Sequence, residues 1–142
     1  MARLITGLLL LAVSPAFALD NPDAPNHLTA FASREAPYLE RANRASTTAD
    51  MREAWADYEA FLDQELNVAY SGLMGRLGDR ERMILRESQR KWLTYRDAEF
   101  DLIRENWSRE RFGSSAVLSR GQYRTAIVRA RVLQLYGYLM NY

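Results

Sequence analysis

From Thr48 onward the apolar residues Met51, Trp55, Tyr58, Leu62, Leu66, Ala69, Leu73 and Leu77 recur at intervals of three or four, the spacing of one helix face. Thr47 or Thr48 is placed to accept from free first-turn amides, Asp50 suits the positive dipole end, and Gly72, Gly75 and Gly78 weaken the far end. Asp79 then caps a second helix, Arg80 to about Trp107, whose inward face runs Leu85, Gln89, Trp92, Arg96, Phe100, Ile103 and Trp107. So short a connection predicts an antiparallel pair. Ser108 to Leu118, containing Gly113-Ser114-Ser115, reads as a loop. Ser119-Arg-Gly-Gln122 has capping-box spacing, with Leu118 and Tyr123 placed for a hydrophobic staple, so a third long helix begins there and runs through Ile127, Ala130 and the apolar set Val132 to Met140.

Upstream the pattern is ambiguous. Leu28, Phe31 and Leu39 would line a helix, but Pro37 breaks or kinks it unless it opens a second short one. Asp20 to Asn26 has no apolar period and reads as an exposed leader. No strand-like alternation or internal repeat competes. The expected fold is all-α: an antiparallel helical bundle of three long helices, preceded by an N-terminal helix whose continuity Pro37 puts in question.

Met1 to Ala18 has a basic start at Arg3, an apolar run from Leu4 to Val13 and the small-residue site Ala16-Phe17-Ala18, the pattern of a secretory signal cleaved after Ala18. The run is too short to span a bilayer. The expected division is a signal peptide over 1–18, a leader with the uncertain helix over 19–46, and a helical domain over 47–142, exported to the periplasm of a Gram-negative cell or outside the cell. With no cysteine there is no disulfide framework, and the fold must stand on packing. Charge is polarised: Leu19 to Gly75 holds ten acids against four arginines, and Arg76 to Tyr142 fourteen bases against eight acids.

One histidine, His27 in the expected leader, and no cysteine exclude a His-based triad, a His-ligated zinc site and a thiol nucleophile. Two carboxylates suffice in principle to hydrolyse a glycoside, but nothing singles out a pair, and acids on helix faces are more simply ion-paired, as Glu87 with Lys91. No catalytic residue, metal ligand or cofactor is expected. Arg120, Arg124, Arg129 and Arg131 form a basic region, yet a mature charge near zero speaks against nucleic acid and for an anionic envelope surface or acidic protein partner. Trp55, Tyr58, Trp92 and Tyr95 fall on inner faces; Tyr136, Tyr138 and Tyr142 suit an interface.

Leu62-Asp63-Gln-Glu-Leu66-Asn67-Val-Ala-Tyr70 followed by Gln89-Arg-Lys-Trp92-Leu-Thr-Tyr95-Arg96-Asp97-Ala-Glu99-Phe100 resembles the secreted LprI-like lysozyme-inhibitor domain family, over roughly Thr48 to Leu135. The resemblance implies a small helical envelope domain that inhibits lysozyme. Family members commonly carry cysteines, and Ala54 and Phe100 stand where two are usual, which implies a bridge replaced by packing between the first two long helices.

Arg96 falls on an inward face, where an unpaired charge costs on the order of 3–5 kcal/mol. A structural polar network is therefore expected, with Arg96 held by Asp63 or another carboxylate of the preceding helix, Asn67 and Gln89 satisfying one another or nearby backbone, and Asp97 serving surface contacts or a neighbouring loop. Two routes to a lysozyme are open. The segment Arg109 to Arg120, unless it is only a connector between helices, would insert Arg111, Ser114, Ser115 and Arg120 toward the enzyme's catalytic carboxylates, or the acidic face of Asp50, Glu53, Asp57 and Glu59 would steer a cationic enzyme. The competing functions are a non-catalytic structural or adaptor domain of the envelope and a weak envelope hydrolase.

Overall fold

The computed structural model describes residues 25–142. The expected signal segment and most of the leader lie outside this range. All five elements among the described residues are helices: α1 His27–Arg44, α2 Thr48–Met74, α3 Asp79–Asn106, α4 Arg109–Phe112 and α5 Ser115–Leu139.

Helix α1 runs unbroken through Pro37, where the sequence predicted a break or a second start. An interior proline costs about 3 kcal/mol by removing one backbone bond and crowding the preceding turn. Contacts on both sides of it offset that cost. Phe31, Glu35 and Ala42 are buried, and Tyr38 stacks on Phe61 of α2 with ring centroids 4.4 Å apart. The leader ends in a cap: Asn26 Oδ1 accepts from the amide of Thr29 at 3.0 Å. His27, expected in the leader, is instead half-buried in the first turn of α1 and stacks on Tyr136 at 5.9 Å.

Helix α2 starts as the sequence predicts, with Thr47 Oγ1 accepting from the amide of Asp50 at 3.1 Å. Its predicted stripe is buried from Trp55 to Leu73, and Ala54, Phe61 and Glu65 are buried as well. The extra buried positions widen the apolar face because two helices cover α2. Helix α5 begins at Ser115 rather than after Ser119. Ser108 caps the one-turn helix α4, Gly113 turns the chain at φ 59°, and Ala116 is already buried in the next turn. Ser119 and Gln122 thus sit inside α5, where no free first-turn amides exist for a capping box to satisfy.

The most extensive packing joins α2 to α5, and this pair runs parallel. Trp55 meets Gly121, Glu59 meets Arg124, Glu65 meets Tyr136 and Gly72 meets Leu139, both helices ascending together. Helix α1 runs against them, Arg34 reaching Glu65 and Arg41 reaching Asp57. Helix α3 does likewise, Gln89 bonding Arg131 and Trp107 tilting onto Tyr123. Helix α3 is lightly held: only Leu85 and Ile103 are buried, while Gln89, Trp92, Arg96, Phe100 and Trp107 are half-buried on the predicted inward side. Tyr95, expected inside, is 51% exposed, and Tyr136, expected at an interface, is 2% exposed.

Ala54 and Phe100 do not face each other. Ala54 lines the cleft between α1 and α2, beside Pro37 and Arg41, whereas Phe100 lies beneath the guanidinium of Arg124, 3.9 Å from its ring centroid. The parallel α2–α5 pairing explains this, since α5 takes the place on α2 that an antiparallel α2–α3 contact would have filled.

Candidate functional site

The light hold on α3 leaves a groove of about 520 Å³ between α2 and α3. Residues spaced by three and four on α2 (Asp63, Leu66, Asn67, Tyr70) form one wall, and residues with the same spacing on α3 (Arg86, Gln89, Arg90, Leu93, Arg96) form the other. Leu66 is buried against the core. Polar groups from both helices thus converge around a small apolar base of Leu66 and Leu93.

All four residues of the expected polar network line this groove, but their bonds run elsewhere. Arg96 donates from Nε and Nη2 to Oδ1 of its neighbour Asp97, at 3.0 and 2.8 Å. Its guanidinium carbon lies 5.6 Å from the ring centroids of both Trp92 and Phe100. Being half-buried at a groove wall, Arg96 is satisfied by the carboxylate of Asp97 and two π faces, and Asp63, itself exposed, is not needed to pair it. Asp63 senses it only through space: desolvation raises the Asp63 pKa and the Arg96 charge opposes the rise. Gln89 accepts from Arg131 Nε at 3.0 Å, tying α3 to α5, and the Asn67 side chain makes no hydrogen bond among the described residues.

The expected binding segment is largely helical and internally occupied. Arg111 donates to Asn106, Ser115 donates to the carbonyl of Phe112, and Arg120 Nη2 donates to the carbonyl of Arg104 at 2.7 Å. Ser114 is an exposed N-cap position without a side-chain cap bond. The acidic face is equally engaged. Asp57 and Glu53 pair with Arg41, and Glu59 takes a two-point bond from Arg124 at 2.9 and 2.5 Å. Neighbouring arginines therefore neutralise much of the charge that would steer a cationic partner.

Two buried carboxylates missed by the sequence reading bind α1, α2 and α5 together. Glu35 of α1 accepts from the Tyr58 hydroxyl at 2.5 Å and from Arg129 Nε and Nη2 at 2.6 and 2.9 Å. Glu65 of α2 accepts from the Tyr136 hydroxyl at 2.7 Å and from Arg34 Nε and Nη2 at 2.9 and 2.7 Å. Burial pushes the Tyr136 hydroxyl up to about 12, reinforced by its bond to Glu65, so it stays a donor. Burial also works against the Glu65 charge, but the Arg34 and Tyr136 bonds outweigh it and hold this carboxyl below the usual range. The one available signal was a pair of tyrosines in apolar stripes, because a buried phenol needs a polar partner.

A pH dependence follows. A carboxyl whose folded pKa lies below its unfolded value of about 4.3 adds stability above that value and loses it as pH falls through the folded pKa. Between pH 5 and 3, wild-type unfolding free energy should therefore fall more steeply than that of Glu65→Gln. Parallel curves in chemical denaturation would reject this assignment.

Among the described residues no group of three or more His, Cys, Asp or Glu side chains is placed to hold a metal ion. No described helix is long and apolar enough to cross a membrane. Fold and groove together define a small all-helical domain with a polar, arginine-bearing cleft beside its core. The family described as lysozyme inhibitor LprI matches residues 40–135, and the chain belongs to that family. No curated protein and no solved structure matches the chain.

Proposed function

We propose that this protein is an exported, non-enzymatic binding domain that inhibits a lysozyme-type muramidase through the α2–α3 groove. The observation that carries the reading is the convergence of the two motif segments, Leu62–Tyr70 and Gln89–Phe100, on the two walls of one cleft, within a chain that belongs to the lysozyme inhibitor LprI family. Most side chains of the alternative surfaces are already bonded internally. Export follows from the signal pattern of Met1 to Ala18, and delivers the domain to the compartment where a muramidase acts, periplasmic in a Gram-negative cell or extracellular.

A glycosidase of this kind works with a pair of carboxylates flanking the scissile bond. Arg86, exposed on the groove rim, makes no hydrogen bond or ion pair among the described residues and is free to meet such a carboxylate. Asn67 opposite it offers an unused amide, and Leu66 and Leu93 supply the apolar floor that excludes water around a polar contact.

The test is a muramidase assay with stoichiometric binding measured alongside. Arg86→Ala combined with Asn67→Ala should weaken inhibition by about tenfold or more, while stability stays within roughly 0.5 kcal/mol, the range of surface changes. Inhibition that survives this pair rejects the groove. A wild-type protein that inhibits no lysozyme but holds a stable envelope partner returns the domain to the adaptor class, and turnover of peptidoglycan by the purified protein would make it a hydrolase.

A further inference from the structure

Arg131 of α5 is only 7% exposed, yet no carboxylate reaches it. Glu35 and Glu65, buried to the same degree, each carry an arginine at bonding distance. The guanidinium of Arg131 is met by neutral oxygens alone: Nε donates to Gln89 at 3.0 Å, Nη1 to Gln134 at 2.6 Å and Nη2 to Ser88 at 3.3 Å. Burial accordingly lowers its pKa. Of the five N–H donors a guanidinium carries, these bonds engage three.

Arg131 lies on the wall of a second groove, about 490 Å³ between α3 and α5, with Trp92, Tyr95, Ile127 and Gln134. We infer that this groove is a binding site for a monocarboxylate with a flat apolar body, the carboxylate pairing with Arg131. The bonds now in place run from an ionised donor to neutral oxygens, and a carboxylate would set an opposite charge against the same donors, the stronger pairing of the two. The Gln134 oxygen stands where a carboxylate oxygen would bind, and Gln134 is exposed, so its side chain can turn out into water. One buried cation balances one negative charge. A phosphate dianion would leave a second charge desolvated against Ile127 and the neighbouring alanines, which is costly. The apolar body is specified by Trp92, half-buried with the Arg131 guanidinium carbon 6.0 Å from its ring centroid, and by the exposed ring of Tyr95. The site uses a different face of α3 from the α2–α3 groove and does not depend on muramidase inhibition.

Sodium benzoate is the probe, with benzamide as the uncharged isostere and sodium chloride at matched ionic strength. Benzoate should raise the Tm of the purified protein saturably, as binding to the folded state requires, and calorimetric titration should give one site; benzamide and chloride should do neither. Arg131→Met should weaken benzoate binding by about tenfold or more. If that variant fails to fold, Gln134→Glu decides the matter: it supplies an internal carboxylate to Arg131, so Tm should rise without ligand and benzoate should no longer bind. No benzoate effect beyond the controls, benzoate binding retained in Gln134→Glu, or no gain in Tm in that variant would each overturn the site.

Discussion

Gly121→Ala should destabilise the protein by about 2–3 kcal/mol, although alanine is the better helix former by roughly 1 kcal/mol. A Cβ at position 121 would lie 2.4 Å from Trp55 Cγ, 2.6 Å from Cδ2 and 2.8 Å from Cβ. The last of these atoms is fixed to the α2 backbone, so turning the ring cannot relieve the clash, and the two helices must separate. Separation loosens the most extensive packing in the molecule. Gly137 on the same helix is the control: a Cβ there meets nothing within 4 Å, so Gly137→Ala should be neutral or stabilise by up to about 1 kcal/mol. Denaturant unfolding of the two variants should give shifts of opposite sign or nearly so. Equal, small shifts at both glycines would contradict the close α2–α5 approach.

Glu35→Ala is expected to cost about 3 kcal/mol, mainly through what it leaves behind. Tyr58 is 2% exposed and donates to Glu35, so its hydroxyl would be buried without an acceptor. Arg129 adds less, because its side chain is 40% exposed and water can take over its donors. The loss should appear first as undocking of α1. Hydrogen exchange should quicken across 27–44 before it changes in α2 or α5, since Glu35 ties α1 to Tyr58 of α2 and to Arg129 of α5. Combining Glu35→Leu with Tyr58→Phe and Arg129→Met removes the whole cluster and should recover much of the stability, as replacing buried ion pairs by apolar groups often does. Uniform exchange, or a triple variant no better than Glu35→Ala, would show that the cluster does not hold α1.

How much was legible in the sequence divides along the range of the interactions. The α2 stripe from Trp55 to Leu73 and its Thr47 cap were readable because spacing and capping operate over three or four residues. The inward side of α3 was readable for the same reason. The groove was half legible: Asp63, Asn67, Gln89 and Arg96 do gather there, because side chains spaced along one face of each helix must share a wall. Their bonding partners were not legible. Asp97 beside Arg96 and Arg131 beside Gln89 depend on how far α3 stands from the core and on which helix lies next to it.

That the chain is helical, where α2 and α3 lie, which faces turn inward and which family it resembles were all readable from patterns confined to short segments. The parallel, close contact of α2 with α5 through Gly121, the passage of α1 beyond Pro37, the start of α5 at Ser115, and the pairing of buried charges at Glu35 and Glu65 rather than Asp63 came instead from packing between helices. Each of these depends on residues distant in the chain, where the burial of whole faces outweighs a proline's local cost and a capping motif's local gain, and where a buried charge is paired by whichever helix the packing brings beside it.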